Sequence, residues 1–403
     1  MENKKILIIG GGASGLFAGG MLANKGFDVT IIEKNEKCGK KIYITGKGRC
    51  NFTNDCTKEE FLNNVVHGNK FMMSAINQFD CQNTMKFFDE LGLKSKTERG
   101  NRVFPISDKA SDVTKALLKN ADKCKIKLNE KVEEIKCLND KFEVKTAKDK
   151  YIFDRVIIST GGKSYPSTGS EGDGYNFASK LGINVIKPKS ALVPIKIKDK
   201  FCKDLQGLSL KNVLLKAKID GKEKSFFGEM LFASDAITGP IALSMSSFIE
   251  EGKKVDLQID LKPALSEEQL EKRLLKDFQE NLNKNIKFII KGLLPNSLVD
   301  VFLKRLSIKE DKKVNSITVQ ERKTIIMLLK EFTLSYDKLY PVETGIITSG
   351  GIDLKQINPK TMECKQIKGL YFIGEVLDVD CLTGGFNMQT AFSTAYACAN
   401  NME

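Results

Sequence analysis

IIGGGASGLFAGG, residues 8–20, runs a β-branched segment into Gly10, Gly12 and Gly15, the spacing of a βαβ dinucleotide-binding fingerprint. The residues before it, KKILIIG, read as a buried parallel strand, and LFAGGMLANKG after it reads as a helix that starts at the glycines. A second strand, DVTIIEK, ends at Glu33, 18 residues past Gly15. Gly10 permits a tight turn, Gly12 lets backbone N–H groups approach a pyrophosphate, and Gly15 lets helix and strand pack closely. Ala13 and Ser14 lie in the first turn of that helix, whose positive dipole end faces the phosphates. Glu33 would accept hydrogen bonds from an adenosine ribose and repel a 2′-phosphate, so FAD or NAD is expected here rather than NADP. Lys34 follows it at the same strand end.

The other strong segment is at the far end of the chain, GLYFIGEVLDVDCLTGGFNMQTAFSTAYACANNM, residues 369–402. GLYFIG reads as a buried strand ending at Gly374. Glu375 through Asp380 form an acidic loop suited to ribityl hydroxyls. Gly384 and Gly385 then open a helix, with Phe386, Asn387 and Met388 in its first turn. A helix start aimed at the N1/C2=O edge of a flavin would stabilise the negative charge that develops when the ring is reduced. Taken alone, the same pattern is an ordinary glycine turn before a helix. Paired with the N-terminal fingerprint, it is expected to be a flavin site.

Two shorter segments join these. TGKGRCNFTND places Gly48, Arg49, Cys50 and Asn51 in a loop fit to lie over a pyrophosphate or flavin, with Lys41 upstream as a phosphate contact; its bland alternative is a glycine-rich surface turn. VIISTGG, residues 156–162, is a buried strand that emerges into Thr160, Gly161 and Gly162 at the carboxyl end of the sheet. No helix-opening G-x-G-x-x-G follows it, so a permanently bound second dinucleotide has no visible site, and a nicotinamide would visit transiently. Val132, at the head of the strand VEEIKCL, completes the candidate cofactor-binding set. No catalytic residue is assigned and no metal is expected.

Composition narrows the class. The 403 residues suffice for two or three domains, and 41% hydrophobic with 29% charged residues is ordinary for a soluble protein. No apolar run approaches the roughly 20 residues needed to cross a bilayer, and the lysines before the first apolar stretch belong to the nucleotide fold rather than to a secretion signal. A cytoplasmic location is expected. The cysteines, at 38, 50, 56, 81, 124, 137, 202, 364, 381 and 398, form no C-x-x-C pair, which signals neither a zinc ribbon nor a dithiol redox centre and argues against flavin-disulfide reductases. The net charge of +13 is read as a lysine-rich surface rather than a nucleic-acid footprint, because acidic residues interleave the basic ones almost everywhere. The single histidine, His67, is read into a surface loop or helix cap, which excludes a histidine metal cage or a histidine triad elsewhere.

Strand and helix signals alternate over residues 1–190, with KFMMSAINQFDCQNTMKFFDELG as one helical stretch, RVFP in a loop before the next helix, VEEIKCL and KFEVKTA as a hairpin, and YIFDRVIISTGG as one strand. From about 191 short alternating segments predict a β-rich, barrel-like domain. Residues 266–332 turn helical, beginning at Ser266 with a Ser-x-x-Gln capping pattern. The expected architecture is α/β: a Rossmann-like FAD-binding domain from 1–190 and 341–403, a β-rich domain from 191–265 plus about 333–340, and a helical insert from 266–332.

The chain resembles the HI0933-like flavoproteins, the BaiN/RdsA family of NAD(P)/FAD-dependent oxidoreductases, over nearly its whole length. The resemblance rests on GGGASGL, GKKIYITGKGRCNFTN, RVFPISDKASDV, TGGKSYPSTGSEGDGY, ITSGGIDLKQINPKTMECK and GLYFIGEVLDVDCLTGGFNMQTAF. It implies tightly bound FAD, a FAD domain built from both chain ends, and two inserted parts. It departs from the family pattern at Ile183 and Ser234, where imidazoles are usual, and at Cys381, where glycine is usual. The Cys381 thiol is therefore expected either near the flavin or as an inert buried cysteine. Arg102 and Tyr165 are candidate substrate contacts or cofactor supports. The implied activity is hydride transfer between NAD(P)H, FAD and an organic substrate, with an activated C=C bond as acceptor. An oxidase of a small amine, a tRNA-modifying flavoprotein and a non-enzymatic flavin binder stand as alternatives; nucleic acid is the disfavoured partner and the oligomeric state is left open.

Overall fold

The computed structural model describes residues 4–403. The chain divides into two compact units, Met1–Ala191 with Pro341–Glu403, and Leu192–Tyr340.

The first unit is organised by five all-parallel strands: β1 (Lys5–Ile9), β2 (Asp28–Ile32), β3 (Lys125–Lys127), β4 (Arg155–Ile158) and β5 (Leu370–Phe372), in the order β5-β4-β1-β2-β3. In register, Leu7 lies between Val156 and Thr30, and Ile157 faces Tyr371. Ile6 through Ile9 are buried, as expected of a parallel strand covered on both faces. The order reverses at β1/β4, so the carboxyl ends of these two strands open the switch-point crevice in which doubly wound sheets bind ligands.

Helix α1 (Ala13–Asn24) packs closely because its glycines leave no room for more: a Cβ on Gly19 would lie 2.8 Å from Ile31 Cδ1, and one on Gly20 would lie 2.1 Å from the Asn120 amide. Helix α2 (Phe386–Asn400) lies against α1, with the Phe17 and Phe392 rings 5.5 Å apart. Three small antiparallel ladders complete the unit around the crevice: Thr53–Asn54 with Arg102–Pro105 and Ser95–Glu98, Val65–His67 with Asp380–Cys381, and Val185–Ala191 with Ile347–Ile352. A further three-stranded sheet contains the predicted hairpin, Val132–Leu138 with Lys141–Thr146.

Three local readings are corrected. The stretch from Lys70 forms two helices, Asn69–Gln78 and Cys81–Glu90, because Phe79 is extended and Asp80 accepts from the Asn83 N–H in a capping box that starts the second. YIFDRVII is two strands in different sheets, Lys150–Phe153 antiparallel and β4 parallel; between them the Asp154 carboxylate accepts from the Lys5 N–H. RVFP is a strand rather than a loop, held between two partners in its ladder.

The second unit is a seven-stranded antiparallel sheet centred on the hairpin Ser209–Ile219 and Lys222–Phe232. Its two edge strands, Phe332–Leu334 and Tyr336–Leu339, are joined by Ser335 alone, so the sheet curls until its edges meet. Helices Glu267–Glu280, Ile286–Leu293, Asn296–Leu306 and Val319–Lys330 share a core with it, in which Leu215, Ile259, Leu270, Phe302 and Phe332 are buried. Among the described residues, no helix is long and apolar enough to cross a membrane, and no group of three His, Cys, Asp or Glu is placed to hold a metal ion.

Candidate functional site

The glycine loop turns at the crevice. Gly10, at φ 106°, would clash with Ser159 O at 2.7 Å if it carried a Cβ, and a Cβ on Gly15 would lie 2.1 Å from Gly10 O. Both glycines are demanded by packing. Gly12 is different: a Cβ there meets nothing within 4 Å, and its φ of −83° suits any residue. The space above Gly12 is open, as the approach of a diphosphate to the backbone requires. Helix α1 has no side-chain cap, and its first bond runs from Leu16 N–H to Gly12 O, so the N–H groups of Ala13, Ser14 and Gly15 have no intrahelical partner.

Glu33 follows β2 and holds the loop. Its Oε2 accepts from Gly11 N–H at 2.9 Å, and its Oε1 accepts from the Asn35 N–H and side-chain amide at 2.8 and 2.7 Å. Lys34 pairs with Glu171 at 2.6 Å and Asp173 at 2.7 Å; burial works against its charge, but the two carboxylates outweigh it and hold its pKa above the ordinary value. Glu130 N–H donates to Glu33 O, which brings the chain leading into Val132 alongside this strand end. Thr160 and Gly161 leave β4 opposite Gly10, and the Thr160 hydroxyl is buried with no partner.

A second cluster joins distant segments. Lys41 bonds both carboxylate oxygens of Glu375, at 3.0 and 2.7 Å, and donates to the Ser164 hydroxyl. Glu375 also accepts from Ser164 Oγ and from the Thr348 N–H, each at 3.0 Å. Gly162 packs here, since a Cβ would meet the Thr348 hydroxyl at 2.3 Å. Gly374 links this cluster to the first, because a Cβ on it would lie 2.6 Å from Ser14 Oγ.

The third cluster surrounds the start of α2. Gly385 takes φ 97°, and a Cβ on it would lie 2.2 Å from Thr53 O and 2.9 Å from Asn51 Oδ1. Asn51 Oδ1 is itself buried without a partner. Asn54 donates to Gly384 O at 2.9 Å, and Thr53 donates to Gln389 Oε1 at 2.6 Å, so the loop after Cys50 is stitched to the helix start. Helix α2 also lacks a side-chain cap, which leaves the N–H groups of Phe386, Asn387 and Met388 without intrahelical partners. Asp380 is fully buried, bonded to His67 and Ser349, and its Oδ2 has no partner.

The Arg49 guanidinium is held by Glu98 and by Asp108, whose Oδ1 lies 2.8 Å from its Nε, and it stacks 4.2 Å over the Phe104 ring. Gly48, at φ 84°, lies in the same loop. Cys50 is buried at φ 58°, and burial pushes its thiol up to about 12. The Phe386 side chain is buried, its ring 6.1 Å from that of Phe61, so that position contributes backbone rather than side chain to the helix start. Cys381 Sγ is buried 3.3 Å from Thr390 Oγ1, and burial pushes its pKa up to about 12. Arg102 Nε donates to Arg99 O, and Tyr165 N–H donates to Glu343 O. Cys56 and Cys81 Sγ lie 3.7 Å apart, and all the cysteines are free.

Sequence reasoning assigned nothing to Ser164, Thr348 or Ser349. They lie in GGKSYP and ITSGGID, segments that also carry the resemblance, but their roles depend on contacts made by folding: Ser164 meets Thr348 and Glu375 across 184 and 211 residues, and Ser349 meets Asp380 across 31. His67 is corrected outright. It sits on a strand, not in a loop, and caps no helix, since the following helix starts at Gly68 without a side-chain cap.

The model of the HI0933-like protein Rossmann domain matches residues 4–401. The ribosomal RNA dihydrouridine synthase of Haemophilus influenzae is 33% identical over 98% of this chain and 97% of its own. The 3-dehydro-bile acid delta(4,6)-reductase of Clostridium scindens is 29% identical over 97% of each. Among solved structures, 3-ketosteroid-delta4-(5alpha)-dehydrogenase from Rhodococcus jostii superimposes with a TM-score of 0.52 at 12% identity, covering 99% of this chain and 97% of that one, which is a likeness of fold.

Proposed function

Since this chain belongs to the HI0933-like family of FAD-dependent oxidoreductases, we propose that it reduces a carbon–carbon double bond conjugated to a carbonyl, and that its substrate is a uracil base in ribosomal RNA. The observation that carries this reading is the end-to-end similarity to the Haemophilus influenzae ribosomal RNA dihydrouridine synthase. Dihydrouridine is uridine with its C5=C6 bond saturated, and that bond is conjugated to the C4 carbonyl. The Clostridium scindens reductase is named for the same chemistry on a ring system, where Δ4 and Δ6 bonds extend from a 3-oxo group.

The residues fit FAD. Gly12 leaves room for the diphosphate, the bare N–H groups of α1 face it, and Glu33 sets the loop that receives it. The orphaned Asn51 Oδ1 and Thr160 Oγ1 are buried polar atoms that a bound group would satisfy. The uncapped start of α2 would oppose negative charge at the far end. Lys41, paired with Glu375, would present an ion pair rather than a free cation to the cofactor. FAD, when bound, supplies the two-electron chemistry, and NAD(P)H is the proposed reductant, visiting transiently.

The test is reduction of ribosomal RNA from cells lacking the gene, with protein, FAD and either nicotinamide, read as dihydrouridine by nucleoside mass spectrometry. A new dihydrouridine that requires the protein is expected. RNA left unchanged while a 3-oxo-4-ene steroid is reduced would transfer the reading to small-molecule enones, which the bile-acid relative favours. Neither product forming would overturn both.

A further inference from the structure

The strand Val65–His67 pairs antiparallel with Asp380–Cys381, and in that register His67 stands opposite Asp380. His67 Nδ1 lies 2.6 Å from Asp380 Oδ1. A carboxylate only accepts, so Nδ1 carries the hydrogen and Nε2 is the nitrogen left to gain or lose a proton. Ser349 Oγ donates to the same Oδ1 at 3.0 Å, which fixes the carboxylate from a second strand. Asp380 is 0% exposed and its other oxygen has no partner. A half-satisfied carboxylate withdrawn from water is costly unless a charge faces it. The imidazole provides that charge, and its side chain is 36% exposed. The arrangement has a buried anchor and an open tip.

This pair is tied to the candidate cofactor site on both sides. Cys381 N–H donates to Asn387 Oδ1 at 2.9 Å, in the first turn of α2. Ser349 follows Thr348, whose N–H donates to Glu375.

Resting on the reading above, we propose that His67, oriented by Asp380, is the proton donor of the double-bond reduction. Saturating C=C takes a hydride on one carbon and a proton on the other. FAD, when bound and reduced, would supply the hydride with its electron pair for the new C–H bond at the carbon β to the carbonyl, and the π pair would move toward the carbonyl. The α carbon then takes the proton from Nε2 of the imidazolium, the N–H bond breaks with its pair left on nitrogen, and water restores the proton. Asp380 is the positioning residue.

The groups facing the ring favour its charged form. The Asp380 hydrogen bond, set against burial, raises the His67 pKa above the ordinary 6.5; Asp378 adds to the rise and Lys189 opposes it.

Because the chain has one histidine, its imidazole NMR signals need no assignment. The first experiment titrates them in the protein before FAD is added. A midpoint above 6.5 that falls in Asp380→Asn is expected; a midpoint that Asp380→Asn leaves in place would overturn the pairing. The second compares wild type with His67→Asn and His67→Gln, each first shown to take up FAD and to be reduced by nicotinamide as wild type is. Turnover on the accepted substrate should drop about a hundredfold, and the pH limb that coincides with the NMR midpoint should vanish. Unchanged turnover and pH profile in both variants would overturn the proposal and leave the reductase reading intact. A wild type that reduces neither RNA nor enone would end both.

Discussion

At the scale of single residues, the glycines separate packing from ligand binding. Gly15→Ala puts a methyl 2.1 Å from a backbone carbonyl oxygen, so loss of about 3 kcal/mol or more is expected, as for other overpacked or strained sites. Gly12→Ala meets no atom and should change unfolding free energy by less than about 0.5 kcal/mol, yet weaken FAD binding by at least about tenfold, or 1.4 kcal/mol. Urea unfolding of the apoproteins and flavin fluorescence titration measure both; equal FAD affinity in Gly12→Ala would remove the argument from the open space. His67 gives a pH dependence of known sign. Its folded pKa is raised, so the folded state binds the proton more tightly. The resulting stabilisation is complete below 6.5 and is lost as pH rises through the raised value. The stability gap between wild type and His67→Gln should therefore narrow from acid toward alkaline pH in denaturant titrations; a gap that widens contradicts it. Neither His67 nor Asp380 could be paired from sequence, because 313 residues separate them and the strands that join them are three and two residues long.

At the scale of elements, periodicity read what was local. The Ser266 start is a capping box in the structure: Ser266 accepts from Gln269 N–H at 3.2 Å, and Gln269 returns a bond to Ser266 N–H at 2.8 Å. Ser266→Ala should cost about 1 kcal/mol, measured by chemical denaturation followed by circular dichroism; no loss would mean that the cap is idle. The same chemistry at Asp80, an Asp-x-x-Asn capping box, divides what periodicity reads as one helix into two. The strand Arg102–Pro105 carries a proline, but Pro105 sits at its end, where the missing N–H does no harm.

At the scale of the whole molecule, the cysteines report how closely each unit is packed within itself. Cys137 alone among them is exposed, while burial pushes Cys38, Cys124 and Cys202 up to about 11. Iodoacetamide at pH 8 on native protein should label Cys137 first, and labelling should reach every thiol only after unfolding; early labelling of Cys381 would mean that the start of α2 opens in solution. The alternation of apolar strands with helices determined the parallel sheet, and the glycine spacing determined the tight turn and close helix start at its crevice, because both depend on neighbours a few residues apart along the chain. Tertiary structure alone brought His67 to Asp380, Cys56 to Cys81, and Lys41 to Ser164 and Glu375. Those pairings are set by the closing of short ladders and loops between segments far apart in sequence, and no periodicity along the chain records which distant carboxylate or hydroxyl a side chain will meet.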